Sequence, residues 1–252
     1  WNHRKIVKLS VIIPAHDEEN CIELTIMKLL FVLRQIEFNF EILAVNDNST
    51  DSTETLLQEL VSSYSEIRYI NNPYPAGFGY AVQCGLESFT GDAVAIVMAD
   101  GSDSPIDVIK FFRKLEEGYD CVFGSRFTKG GRTRGYPKHK LILNRVINLL
   151  ICIIFGVKYN DTTNAFKMYR RRTIDGLQPL LSRHFNLTVE LPLKAIIRGY
   201  SYAVLPNTWE NRRGGDSKFK IKEMGSRYLF IILYCLIEKW LALGDCKNAN
   251  LS

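Results

Sequence analysis

Few of the features that assign a function at sight are present in this chain. Its six cysteines (Cys21, Cys84, Cys121, Cys152, Cys235 and Cys246) are scattered, with no C-x-x-C pair and no histidine at ligand spacing. That argues against a zinc site or a disulfide framework and points to a reducing compartment. There is no G-x-x-x-x-G-K-[ST] run, which removes the P-loop NTPases. Gly77-Phe78-Gly79 lacks the third glycine of a dinucleotide loop, because position 82 is Val82, and this argues against a dehydrogenase. No secretory leader is expected ahead of the first hydrophobic run. The longest unbroken apolar stretch, residues 228–237, falls short of the roughly 18 to 20 residues that span a bilayer. A soluble or peripheral protein is expected, cytoplasmic or at the cytoplasmic face of a membrane. The formal net charge of +5 is too mild to demand nucleic acid, but it suits anionic phosphates or an anionic lipid surface.

What is present is the profile of one globular domain with a short appendage: 252 residues, 46% hydrophobic and 23% charged. Short β-branched runs at residues 9–14, 40–46, 67–70, 93–99 and 121–125 read as strands, separated by helical patterns such as residues 18–35. Runs such as VIIP, ILAV and AVAIVMA are apolar on successive residues. Parallel strands covered on both faces read this way, so the fold class is α/β. Later segments predict a helix over 141–155, a strand over 165–169, a helix over 187–198, a strand over 202–206 and a long final helix over 219–243. In open sheets of this kind ligands bind beyond the carboxyl ends of the strands.

Carboxylates lie at those ends. The first strand runs into Pro14-Ala15-His16-Asp17-Glu18, the second into Asn46-Asp47-Asn48-Ser49-Thr50-Asp51, and the fourth into Asp100-Gly101-Ser102-Asp103-Ser104-Pro105. Asp51 and Glu54 read as helix caps. Asp47 has no such local duty and suits hydrogen bonds from a nucleobase or ribose. Asp103 alone fits an N-cap ahead of a helix opened by Pro105. Asp100 and Asp103 together suit Mg²⁺ or Mn²⁺, hard cations that bind through few carboxylates plus substrate phosphates. Basic residues fall in two groups, Arg126, Lys129, Arg132, Arg134, Lys138 and Lys140, and then Arg212, Arg213 and Lys218 around a Gly-Gly pair. The second group reads as a loop that closes over phosphates.

In this order the motifs resemble the inverting family 2 glycosyltransferases of GT-A fold, and within them the dolichyl- or polyprenyl-phosphate mannose synthases. The likeness runs from about Leu9 to Lys218. It implies a GT-A, Rossmann-like, mixed but mostly parallel sheet flanked by helices over residues 1–218, with a C-terminal apolar amphipathic helix in 219–252. Pro14, His16, Glu18 and Asp47 match positions that line the base and ribose pocket, with His16 where an aromatic usually stands and Asn46 where the family has another aspartate. Arg126 matches a phosphate-side arginine, and Arg212 and Lys218 match the basic pair of the closing loop. The family's Asp-x-Asp aligns with Ala99-Asp100-Gly101, so the metal-binding carboxylates are expected at Asp100 and Asp103.

The resemblance implies a nucleotide-sugar donor, GDP- or UDP-linked, and a divalent metal. An anionic lipid-phosphate acceptor would need no general base and would be positioned by Arg126, Arg212 and Lys218. A hydroxyl acceptor would need one, from Asp103 or Glu190. The apolar segments 141–157 and 227–243 favour a lipid acceptor at a membrane surface, or a membrane partner protein. The rivals are a transferase to a sugar hydroxyl and a non-catalytic nucleotide-sugar-binding subunit.

Overall fold

The computed structural model describes residues 8–211 and 221–241. Nine strands and eight helices follow one another along them. The first half alternates β1 (Lys8–Ala15), α1 (Ile22–Leu33), β2 (Asn39–Asn46), α2 (Thr53–Ser63), β3 (Ile67–Asn71), α3 (Phe78–Ser88), β4 (Ala93–Ile96), α4 (Pro105–Glu116) and β5 (Cys121–Ser125). The second half holds β6 (Arg132–Arg134), α5 (Lys138–Phe155), β7 (Lys167–Arg170), α6 (Arg171–Gly176), α7 (Leu187–Ile197), β8 (Tyr202–Pro206), β9 (Thr208–Glu210) and α8 (Ile221–Leu241).

Seven strands form one sheet in the order β3-β2-β1-β4-β7-β5-β8, all parallel except β7, which runs antiparallel to β4 and β5. Successive strand residues serve opposite faces. Val11, Ile13 and Ala44 pack against α1, α2 and α4, while Ile12, Leu43 and Val45 pack against α3 and α7. Burial on both faces is why the strands read as unbroken apolar runs. A third cluster joins α5, α7 and α8 through Ile151, Phe155, Val189, Leu193, Ile231 and Cys235. Helix α5 stops at Gly156, whose φ of +66° is the left-handed cap glycine tolerates.

One buried charge interrupts the apolar strands. Glu41, 2% exposed, takes hydrogen bonds from Ser10 Oγ (2.6 Å), Thr90 N (2.7 Å) and Arg68 Nη1 (2.7 Å). Burial pushes its carboxyl up, but these donors outweigh burial and bring it down to about 2 from an ordinary 4.5. A depressed carboxylate stabilises the fold fully above pH 4.5, and that contribution is lost as pH falls towards 2. Because Arg68 is partly exposed, Glu41→Gln is expected to cost about 2 kcal/mol at pH 7. Denaturant melts should show that cost shrinking between pH 5 and pH 2, and an unchanged gap across that range would refute the assignment.

Candidate active site

The chain reverses direction across the sheet at β1, whose neighbours are β2 and β4, and a crevice opens at such a switch point. Pairing of β1 with β4 ends at Ile12↔Ile96, whereas pairing with β2 runs on to Ala15↔Asn46. Pro14, which has no N–H to give, stands past the last β4 pair. The loops after β1 and β2 form one wall and are laced to each other. Thr50 N donates to Asp17 (2.8 Å), Ser52 N to Glu19 (3.0 Å), Glu19 N to Asp51 (3.1 Å) and Glu18 N to Thr53 Oγ1 (2.9 Å). Asp17 and Asn48 hold left-handed φ values of 51° and 56° to make these turns. His16 donates from Nδ1 to the Asp47 carbonyl (2.6 Å).

Asp47 does have a local duty, contrary to the sequence reading. It is 4% exposed, and its two oxygens accept from Asn72 Nδ2 (2.7 Å) and Gly77 N (2.8 Å). It therefore fastens the loop between β3 and α3 to the crevice wall. Asp51 accepts from Thr53 N at the start of α2, as a capping residue would, whereas Glu54 instead bonds Asn71 on β3 (2.8 Å). Gly77 and Gly79 are explained by close packing. A Cβ on Gly79 would stand 2.5 Å from His184 N, and one on Gly77 2.9 Å from Arg183 O.

The opposite wall is the turn after β4. The strand ends at Ile96, three residues earlier than expected, because the chain turns through Gly101 at φ +70°. Asp100 is partly exposed and accepts from Ser102 N (3.0 Å) through Oδ1. Asp103 is 6% exposed and accepts from Met98 N (3.1 Å). It is not the cap of α4: its carboxylate points back into the turn, and Pro105 opens the helix after Ser104. Burial pushes the Asp103 carboxyl up to about 7; the Met98 N–H opposes this, Asp100 adds to it and Arg126 works against it. Each carboxylate leaves one oxygen that accepts no hydrogen bond from a described residue, and the buried Ser102 Oγ between them has no partner among the described residues either. That donor set fits a hard divalent cation that completes its shell with phosphate oxygens and water. Among the described residues no cluster of three or more His, Cys, Asp or Glu side chains could hold a metal unaided.

A strap covers this turn. β9 pairs with β6, Asp103 bridges to Trp209, and Glu210 N donates to Ser102 O (3.0 Å). Both strands are three residues long and were not anticipated. Trp209 rests on Tyr136 at 4.9 Å between ring centroids, and Tyr136 lies against the Arg126 guanidinium. Arg126 is 8% exposed and closes a two-pronged pair with Asp161, Nε at 2.8 Å and Nη2 at 2.6 Å, while its backbone N–H adds a third bond at 2.9 Å. Burial alone would lower the guanidinium pKa; Asp161 outweighs it and holds the group above the usual arginine value. Only Nη1 has no partner among the described residues, so Arg126 can offer that nitrogen to an anion. Beside the pair, Lys167 is 1% exposed and donates to the carbonyls of Thr162 and Asn164. Burial pushes its ammonium down to about 7, against the pull of Asp161 and Asp103.

Sequence reasoning missed Asp161 and Lys167. The available signal was the polar run Asn160-Asp161-Thr162-Thr163-Asn164 between two apolar segments. Glu190 is corrected as a candidate base. It is fully buried, bonds Leu181 N (2.8 Å) and Ser182 N (2.7 Å), and pairs with Lys194 (2.9 Å), so it holds the 179–182 turn. Arg212, Arg213 and Lys218 lie outside the described residues. Helix α5 turns Asn148, Ile151 and Phe155 inward and leaves Leu149 and Ile153 60% and 68% exposed. Helix α8 likewise exposes Phe230, Leu233, Ile237 and Trp240. Core packing therefore accounts for only one side of either helix. No described helix is long and apolar enough to cross a membrane.

Comparison with known proteins gives this geometry a family. The polyprenol monophosphomannose synthase of Mycolicibacterium smegmatis is 29% identical over 86% of this chain and 86% of its own length. The dolichol-phosphate mannosyltransferase of Pyrococcus furiosus is also 29% identical over 86% of this chain, which spans 60% of that protein. Among solved structures, glucosyl-3-phosphoglycerate synthase from Mycobacterium tuberculosis superposes with a TM-score of 0.67 at 18% identity, covering 92% of this chain and 79% of that one. The same enzyme, in complex with Mn²⁺, uridine diphosphate and glucosyl-3-phosphoglycerate, superposes at 0.66. At that identity the likeness establishes the fold and not the substrate. The model for glycosyl transferase family 2 matches residues 10–177, two-thirds of the sequence, and the chain belongs to that family.

Proposed function

We propose that this protein transfers a sugar, with inversion, from a nucleoside-diphosphate sugar to a polyprenyl or dolichyl phosphate at the cytoplasmic face of a membrane. The observation that carries the reading is the joining of an anion-binding edge to an exposed apolar layer. Asn148 of α5 bonds the loop that bears Asp161, and α8 packs on the same helix where Ile231 and Cys235 meet Ile151 and Phe155. A lipid whose phosphate must reach the crevice while its chain stays out of water needs those two surfaces side by side. Two relatives named for polyprenol and dolichol phosphate chemistry support the same acceptor.

In this reading Pro14, His16, Glu18 and Asp47 build the wall against which the base and ribose lie. Asp100 and Asp103 would hold Mg²⁺ or Mn²⁺, which would neutralise charge growing on the leaving diphosphate. Arg126, through Nη1, faces the acceptor phosphate, and Arg212 and Lys218 are assigned to the closing segment by resemblance alone. A phosphate acceptor is already anionic at neutral pH, so positioning it in line with the anomeric carbon replaces proton abstraction. A sugar-hydroxyl acceptor is the second reading, favoured by the Asp103 carboxylate, which keeps one oxygen that takes no hydrogen bond from a described residue and could accept the hydroxyl proton.

The test supplies polyprenyl phosphate, Mg²⁺ or Mn²⁺, and radiolabelled GDP-mannose or UDP-sugars, and counts label extracted into organic solvent. Label in the organic phase is the expected result. Nucleotide-sugar binding without transfer would overturn it in favour of a binding subunit. The apolar layer predicts a second outcome: Leu149→Glu with Ile153→Glu should lower sedimentation with anionic vesicles about tenfold or more, leaving the melting temperature within a few degrees because both residues are exposed. Undiminished sedimentation would remove α5 from the membrane contact.

A further inference from the structure

Asn148 is the buried polar exception on an apolar helix. It is 1% exposed and shares its inward face with Ile151 and Phe155. A buried amide there is costly unless every bond is made, and a leucine or isoleucine would fill the position at no such cost. The bonds are made. Oδ1 accepts from Thr162 N (2.6 Å) and Thr162 Oγ1 (2.7 Å), and Nδ2 donates to Asn144 O (2.9 Å), Asn144 Oδ1 (2.9 Å) and Thr163 Oγ1 (3.2 Å). The loop so gripped is the one whose Asp161 holds Arg126, and its other tethers lead to the strands. Asn160 accepts from Ser125 Oγ (2.6 Å), Asn164 Nδ2 donates to Gly124 O (2.9 Å), and Lys167 bonds the carbonyls of Thr162 and Asn164.

We propose that Asn148 is a positioning residue: through Thr162 it fixes the Asp161–Arg126 pair to helix α5, so that the exposed apolar helix and the anion-binding arginine keep one register. The inference rests on the reading of Arg126 as facing the acceptor phosphate, and it adds the residue that sets where that arginine stands. The geometry makes the coupling one-sided. Among the described residues, the donor wall built on β1, β2 and the loop before α3 makes no hydrogen bond to Asn148 or Thr162, so displacing the loop moves the acceptor end alone.

The experiment compares N148L, T162V and T162S in the full-length protein by two readouts: sugar transfer to polyprenyl phosphate, and hydrogen exchange at the ¹⁵N-labelled Arg126 Nε–H, which is protected when it donates to Asp161. In N148L turnover should fall about 10- to 100-fold, with the donor KM within about twofold of wild type and Nε–H exchange faster. T162V, which removes one of the two accepted bonds, should show a smaller change of the same kind, and T162S, which restores the hydroxyl, should reverse it. Unaltered Nε–H protection in N148L overturns the proposal, as does a donor KM that rises with the fall in turnover. If N148L does not fold, the T162V and T162S pair decides, with identical behaviour of the two counting against it. If the wild-type protein transfers no sugar, the proposed function fails, yet the exchange readout still tests whether Asn148 sets the Asp161–Arg126 pair.

Discussion

Asp100→Ala is expected to lower sugar transfer by about a thousandfold or more, because the departing diphosphate would lose the cation that neutralises it. The geometry singles out Asp100 over Asp103. Asp100 sits at the partly exposed lip of the turn, with one oxygen on Ser102 N and the other turned to no described donor, whereas Asp103 is buried and pulled back to Met98 N. Calorimetric titration of Mn²⁺ in the presence of a nucleoside diphosphate should lose its binding heat in Asp100→Ala. Folding should be unaffected, since the side chain makes one hydrogen bond within its own turn. A variant that keeps more than about a tenth of wild-type transfer together with its dependence on Mn²⁺ would remove Asp100 from the metal site.

The second large effect concerns Asp161. Removing its carboxylate leaves Arg126 buried and charged with no counter-ion, and breaking a buried pair in this way costs about 3–5 kcal/mol. For a chain of this length that is a fall in melting temperature of roughly 10 °C. The double substitution Arg126→Leu with Asp161→Leu removes both charges and should recover most of the loss, since well-packed apolar replacements of a buried pair are often neutral. Transfer should stay absent, because no guanidinium remains to face the acceptor. Recovery of stability without recovery of activity separates the structural role of the pair from its chemical one. Recovery of both would show that Arg126 serves only the fold.

Much of the architecture was legible because its causes are local. Residues 121–125 and 202–206 read as strands from β-branched and aromatic content, and the structure places β5 and β8 on those residues. The reversed direction of β7 was not legible, since a four-residue run carries no mark of which way it points. β6 and β9 were too short to show a period, yet they form the strap over the carboxylate turn. In the site, the types of residue were readable and their partners were not. Asp103 fitted a helix cap as well as a metal ligand in the sequence, and only the fold shows its carboxylate bonded back to Met98 N rather than capping α4. Asp47 was read as free of structural duty and open to a nucleobase or ribose because Asn72 and Gly77 lie 25 and 30 positions away. Asp161 escaped notice for the same reason, its partner standing 35 residues earlier.

The lacing of the loops after β1 and β2 has a consequence for how a nucleotide would arrive. These loops are tied to each other by side chains already committed to turns, including two non-glycine residues in left-handed conformations. A ligand meeting that wall has no loop to order, so little of its affinity is spent on conformational entropy. Encounter with the wall is then a diffusional event, fast and slowed by viscogens only in proportion to solvent viscosity, and any slow phase in association belongs to the far side of the crevice.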